Sequence, residues 1–328
     1  MRKHHLTAHL VAAACLFAVA APASHAQAPY PNQQIRIICP FPAGGGTDLT
    51  SRLLGDQLQR MLGQPVVVEN RTGASGMIGT DAVAKSKPDG YTLLVASGEM
   101  ALNPHLYKKI AYNWDRDLQP ITRLVSVPNV MAVNMDVPAK SVAEFVAYAK
   151  QNPGKLTFSS SGIGNPQQLT GELFNKMAGV QVRHVPYKGA APQLAALAGK
   201  EVHMTFVSIG AAKPFIESQR IRPIGVTSLK RVSALPDVPA IAEHPPLAGF
   251  ELVNFFGFYA PAGLPDPILK RLNAAAVQIM QMPELAAKFR SLGFEPSTNT
   301  PDQYRQFIRG ESAKFATIIA EAGLKLSE

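Results

Sequence analysis

Residues 35–54 read "IRIICPFPAGGGTDLTSRLL". An apolar run, IRIIC (35–39), leads into three consecutive glycines, Gly44 to Gly46. Leu49, Leu53, Leu54, Leu58, Met61 and Leu62 then recur at helical spacing. Strand, glycine turn and helix follow in that order, and Gly63 stands where helices commonly close on a left-handed residue. Further on, "PVVVEN" (65–70) reads as a strand, "GASGMIGTDAVAKSKPDG" (73–90) as a glycine-rich loop with a short helix, and "YTLLVAS" (91–97) as a third strand. This β-α-β-α-β order predicts a parallel sheet with crossover helices. The near-continuous apolar strands fit burial on both faces.

The same logic returns in the second half. "LTFSSSG" (156–162) is a strand, Asn165-Pro166 places an N-cap and an N1 proline before a helix, and "VRHVPYKG" (182–189) is another strand. Pro192 opens a helix that stops at Gly199. "VHMTFVS" (202–208) and "IRPIGVTS" (221–228) are further strands. The chain therefore reads as two α/β units in tandem, with "LVSVPNVMAVNM" and "IRPIGVTS" as the places where it crosses between lobes. From about Leu264 it is helical and is expected to pack back on the first lobe.

The N-terminus carries a basic start (Arg2, Lys3), an apolar run from Leu10 to Ala21 and Ser24-His25-Ala26. That pattern predicts a cleaved export signal over residues 1–26. Ala12 to Ala14 are a poor lipobox for Cys15. The domain reading is signal 1–26, first lobe 27–124, second lobe 125–227, and first lobe again over 228–328. Cleavage lowers the formal charge from +9 to +7, since Arg2 and Lys3 leave and no acid does. It leaves Cys39 as the single cysteine, so no internal disulfide is expected. The basic residues are scattered, which argues for a basic surface rather than a nucleic-acid footprint. A mild positive field favours small anions.

The glycine loop is either a tight turn or an anion nest of backbone N–H groups at a helix start. It lacks the Lys-Ser/Thr of a P-loop, and GxGxxG does not fit. A second loop, "SSSGIGNPQQL" (159–169), also joins a strand to a helix and offers hydroxyls, turn glycines and amides. Two such loops facing each other would form a two-jawed trap for a small carboxylate. Asp48 sits awkwardly in that reading. It either occupies the first helical turn beside a Thr47 N-cap, or it holds water or a donor of the ligand.

The competing class is an exported α/β serine hydrolase using a serine of the 159–161 run. No Gly-x-Ser-x-Gly elbow is present, and no histidine lies at a recognisable spacing. His105, His184, His203 and His244 are far apart in sequence, with no zinc-type spacing. No metal, cofactor or catalytic residue is assigned.

Taken together and in order, "YPNQQIRIICPFPAGGGTDLTSRLL", "VVVENRTGASGMIGTDAVAKSKPDGYTLL", "ALNPHLYKKIAYNWDRDLQPITRL", "SSSGIGNPQQLTGELF", "VPYKGAAPQLAALAGKEV", "LPDVPAIAE" and "APAGLPDPILKRLNAA" resemble the substrate-binding proteins of tripartite tricarboxylate transporters, the Bug receptors. The resemblance covers essentially the whole mature chain. It implies an α/β fold of the type II periplasmic-binding-protein kind, two lobes joined by crossing strands with the ligand cleft between them, and no catalysis. It also implies a monomeric periplasmic receptor for a di- or tricarboxylate or an aromatic acid, handing it to a membrane transporter or a sensor kinase. Carried over position by position, it implies a ligand site at Phe41, Ala43, Gly44, Gly45, Thr47 and Asp48 in the first lobe. In the second lobe it implies Ser160, Ser161, Gly162, Gly164 and Gln168, with Tyr187, Lys188 and Gly189 near the next helix. Departures from the family pattern stand at Gln168, Ala196 and Ser208, where relatives often carry His, Asp and Asp. Missing acids near the cleft argue against a ligand with an ammonium group.

Overall fold

The computed structural model describes residues 30–324; the export signal read at 1–26 lies outside them. The first strand, β1 (Ile35–Cys39), buries every residue except Arg36. It lies between β2 (Val66–Asn70) and β3 (Thr92–Ser97) and is parallel to both, with Ile35 opposite Val66 and Arg36 opposite Thr92. Helix α1 (Gly46–Leu62) makes the first crossover and α2 (Met77–Ala84) the second. Leu54 and Leu58 of α1 are fully buried against the sheet. Gly63 closes α1 in the left-handed conformation (φ 72°) and donates its N–H to Gln59.

Helix α3 (Glu99–Leu106) and the single-turn α4 (Trp114–Asp117) follow, and then the chain adds antiparallel strands to this parallel half. β4 (Leu118–Val127) pairs with β10 (Asn254–Pro261), and β10 pairs in turn with β3. A two-residue strand, β11 (Glu295–Pro296), closes the edge, giving the order β11-β4-β10-β3-β1-β2. β10, "NFFGFYAP", is buried along nearly its whole length and is not foreseen by the sequence reading, because no neighbouring strand–turn–helix unit frames it.

The second sheet comprises β5 (Asn129–Asn134), β6 (Thr157–Ser160), β7 (Arg183–Pro186), β8 (Met204–Ser208) and β9 (Ile221–Val226), in the order β7-β6-β8-β5-β9. Its crossovers are α5 (Val142–Gln151), α6 (Pro166–Ala178), α7 (Ala190–Ala198) and α8 (Ile209–Glu217). Asn165 caps α6 by accepting from the Gln168 N–H, with Pro166 at the first position, as its sequence predicts. Helix α7 starts at Ala190, two residues ahead of Pro192.

Two crossings join the sheets. The first is Pro128, between β4 and β5. The second follows a long excursion: after β9 the chain runs over the second lobe, burying Ile241, Leu247 and Phe250 among Phe174 and Phe206. The sequence reading ends the second lobe at 227, whereas this segment belongs to the second core up to Phe250. The chain re-enters the first sheet only at Asn254. Thr227 ties the crossings together. Its N–H donates to the Asn129 carbonyl (3.0 Å), its Oγ1 accepts from the Asn129 N–H (2.9 Å), and its carbonyl accepts from the Leu252 N–H (3.2 Å).

Helices α9 (Asp266–Gln281), α10 (Pro283–Ser291) and α11 (Pro301–Glu321) complete the first lobe. Leu272 and Ile279 of α9 join the core beneath α1. One apolar cluster spans the lobes: Leu169 of α6 is buried with Leu102, Leu106, Leu252, Phe315, Ile318 and Ile319.

Candidate ligand cleft

A cavity of about 200 Å³ lies between the lobes. Gly46, Glu99, Val127, Asn254, Phe256 and Phe294 line it from the first lobe. Asn129, Ser161, Asn165, Pro166, Gln167 and Ser208 line it from the second. The cavity therefore sits where α1, α3, α6 and α8 begin and where both crossings pass, at the carboxyl ends of parallel strands, as ligands do in open α/β sheets. A larger hollow of about 680 Å³ between α1 and α10 is lined by Asp56, Arg60, Glu284 and Lys288 among others and shares no residue with the cleft.

The two jaws differ in what their N–H groups do. In the first lobe Gly45, not Thr47, is the N-cap of α1, and no side chain caps that helix. Thr47 is the second helical residue and is buried. Uncapped first-turn N–H groups have no partner within the helix, so α1 presents its positive end at Gly46, on the cavity wall. In the second lobe the N–H groups are taken by the loop's own side chains. Ser161 N–H donates to Gln167 Oε1 (2.9 Å), Gly164 N–H to Gln168 Oε1 (2.8 Å) and Gly162 N–H to Ser160 Oγ (3.3 Å). That jaw is preorganised by amides and hydroxyls, and Ser161 is its one member of the sequence-derived set that lines the cavity.

Asp48 is a brace. Its carboxylate accepts from the Gly44 N–H (2.9 Å), from Arg52 Nε (3.0 Å) and from Asn70 Nδ2 (2.8 Å). Asn70 also donates to the Phe41 carbonyl (2.9 Å), so the 41–48 loop is held at two points. Burial works to raise the Asp48 carboxyl, but Arg52, the Gly44 N–H and Asn70 outweigh it and hold it below its ordinary value. The charge that looked hostile to an anion is thus consumed inside the loop. Phe41 packs over Gly76, whose added Cβ would lie 3.1 Å from the ring. Ala74 and Ser75, at φ 47° and 51°, hold this neighbouring turn in the left-handed region.

Ser160 meets a histidine after all. His184 Nε2 lies 2.6 Å from Ser160 Oγ, brought there by the parallel pairing of β6 with β7. Ser160 is fully buried and also contacts the Gly162 carbonyl at 2.6 Å. His184 packs against Phe158 with the rings tilted by 35°, and burial pushes it down to about 4. A serine with no accessible surface, beside a neutral histidine, is a latch on the loop rather than a nucleophile. Tyr187 and Gly189 donate their N–H groups to the Ser160 and Ser161 carbonyls (2.9 and 3.1 Å) and so hold the same loop from β7, across Lys188. Among the described residues no group of His, Cys, Asp and Glu could hold a metal ion.

Residues 50–324 match the family model described as the tripartite tricarboxylate transporter family receptor. The chain belongs to that family. BugT of Bordetella pertussis is 36% identical to it over 301 residues, covering 90% of this chain and 91% of that protein. The R. palustris protein Rpa4515, solved with adipate, superposes with a TM-score of 0.78 at 35% identity, covering 90% of this chain and all of that one. MatC from Rhodopseudomonas palustris, solved with malate, superposes at 0.72 and 28% identity, covering 88% of this chain and all of that one. The chain is accordingly a substrate-binding receptor of this family and not an enzyme. The two-lobed fold implied by the sequence resemblance is the fold observed.

Sequence reasoning missed Glu99, Asn129, Asn254, Phe256 and Phe294, and marked Ser208 only as a departure from the family pattern near the cleft. Glu99 carried a usable signal: it follows "YTLLVAS" at the third strand-to-helix junction of the first sheet, the same kind of position as the two loops that were singled out.

Proposed function

We propose that the cleft captures one small dicarboxylate, with a ligand carboxylate on the uncapped N-terminus of α1 and the self-capped Ser160–Gln168 loop closing over it. The observation that carries this is the asymmetry of the jaws. One helix terminus is left open on the cavity wall, while the facing loop has its N–H groups already paired. The adipate and malate of the two R. palustris relatives support a ligand of this chemistry. Phe41 to Asp48 and Tyr187 to Gly189 form the rims and position the jaws. The Phe256–Phe294 pair, in edge-to-face contact at 5.5 Å, gives the ligand's carbon chain an apolar wall. The loaded receptor, a monomer exported to the periplasm, then presents the acid to a membrane transporter or a sensor.

A thermal-shift panel of aliphatic di- and tricarboxylates and aromatic acids tests this. An acid at 100 times its dissociation constant stabilises by about 2.7 kcal/mol, which is easily seen. A panel in which no carboxylate moves the melting temperature contradicts the proposal.

A further inference from the structure

Among the described residues Glu99 is the one acidic side chain on the cavity wall. It opens α3, directly after β3, and its Oε2 accepts from the Ser97 hydroxyl. Asn254 stands beside it, and its orientation is fixed: Oδ1 accepts from the Gly98 N–H (3.2 Å) and the Phe255 N–H (2.8 Å). That leaves the amide nitrogen of Asn254 as the group available to Glu99. Among the described residues no cationic side chain faces this carboxyl. From β3 it meets Ser97, from β10 Asn254, and the titratable neighbour is Tyr112, a phenol that burial keeps neutral. A carboxylate here has helix-terminus N–H groups near it, its own in the first turn of α3 and those of α1 on the same cavity wall, but no cationic side chain.

We infer that Glu99 binds in its protonated form, donating a hydrogen bond to the ligand's second carboxylate, so that this receptor takes up its dicarboxylate together with a proton. The inference rests on the carboxylate reading above. Burial raises the Glu99 carboxyl against the opposing pull of Ser97, of its own backbone N–H at the start of α3 and of Asn254. A ligand carboxylate placed beside it raises it further, because like charges disfavour joint ionisation. Specificity follows: the distal contact is an acid-to-carboxylate hydrogen bond that fixes ligand length, and a ligand with an ammonium group would instead demand the ionised form.

The sign is set by linkage. The complex holds a proton that the free protein loses as pH rises through the free Glu99 value, so affinity falls with rising pH. The experiment is calorimetry with adipate at pH 6 and pH 9, and at pH 8 in two buffers of different ionisation enthalpy. Wild type should lose at least tenfold in affinity from pH 6 to pH 9 and take up a fraction of a proton at pH 8. Glu99→Gln keeps a donor and loses the titration. It should bind within about threefold of the wild-type pH 6 value at both pH values, with no uptake from residue 99. The wild-type measurements stand if that variant fails to fold. Affinity that is flat or rises with pH in wild type, or a folded Glu99→Gln that no longer binds, overturns the inference while leaving the receptor reading intact. Failure of wild type to bind adipate or any other dicarboxylate overturns both.

Discussion

Replacing Gly46 by alanine separates a glycine that only turns the chain from one that lets a ligand approach. Gly46 is the first residue of α1, and its backbone is one that any residue adopts. On helix propensity alone alanine gains about 1 kcal/mol. Its Cβ, however, would stand 2.9 Å from Phe294 Cζ and 3.0 Å from Phe256 Cε2 and Cζ, so both cleft-wall rings must move. Overpacking of this kind costs about 1–3 kcal/mol. The net loss is therefore at most about 2 kcal/mol, which lowers Tm by no more than about 8 °C in a chain of this size. Binding suffers more, because the methyl fills space beside the uncapped N–H groups. Losing a charge-assisted hydrogen bond costs about 1.5–3 kcal/mol, or roughly tenfold to a hundredfold in Kd. Gly44→Ala is the control. Gly44 has φ 83° with nothing within 4 Å of an added Cβ, so alanine there meets strain of about 1–2 kcal/mol and leaves the cavity alone. Gly45, at φ −75°, requires no special conformation. Calorimetry with adipate beside thermal melts reads both quantities. A folded Gly46→Ala protein that binds at wild-type strength refutes the role given to the α1 terminus.

Asp48→Asn keeps the shape of the brace and removes its charge. It should lower stability by about 1–2 kcal/mol in a urea titration, less than for a fully buried ion pair because Arg52 is half exposed. The Asp48 carboxyl is depressed in the folded protein, so its contribution is present at neutral pH and is lost as pH falls through its folded value; the variant should lack that acid-side loss. His184 acts in the same direction. It is pushed from 6.5 down to about 4, so the unfolded chain binds the extra proton between those values, and stability should decline as pH falls from about 6.5 to about 4. Urea midpoints of His184→Gln that track wild type across this window contradict the assignment. Lobe closure should hinge at Pro128 and between Phe250 and Asn254, the two places where the chain passes from one sheet to the other. An adipate-saturated protein with an unchanged radius of gyration in small-angle scattering argues against it.

The parallel halves of both sheets were legible because each is built from neighbours in sequence: β1, α1, β2, α2 and β3 follow one another with turn glycines between them, and β6, β7 and β8 do the same. β10 was hidden because it stands outside any local strand–turn–helix unit, and its partners β3 and β4 lie well over a hundred residues away. The cleft divides along the same line. The loops carrying Gly46 and Ser161 could be found from local strand–turn–helix chemistry. Glu99 and Asn254 meet only because β3 and β10 are adjacent, and Ser160 meets His184 only because β6 and β7 pair. Neither juxtaposition leaves a local spacing to read. Asp48 shows the reverse case: the sequence exposed the residue and its puzzle, but its partner Asn70 arrives from the next strand.

The central claim is that the cleft grips a carboxylate and not merely a small polar molecule. The direct measurement is calorimetric titration of the wild-type protein with adipate and, in parallel, with its dimethyl ester. Loss of the charge-assisted contacts should weaken the ester at least tenfold to a hundredfold. Equal affinities for acid and ester would contradict the account.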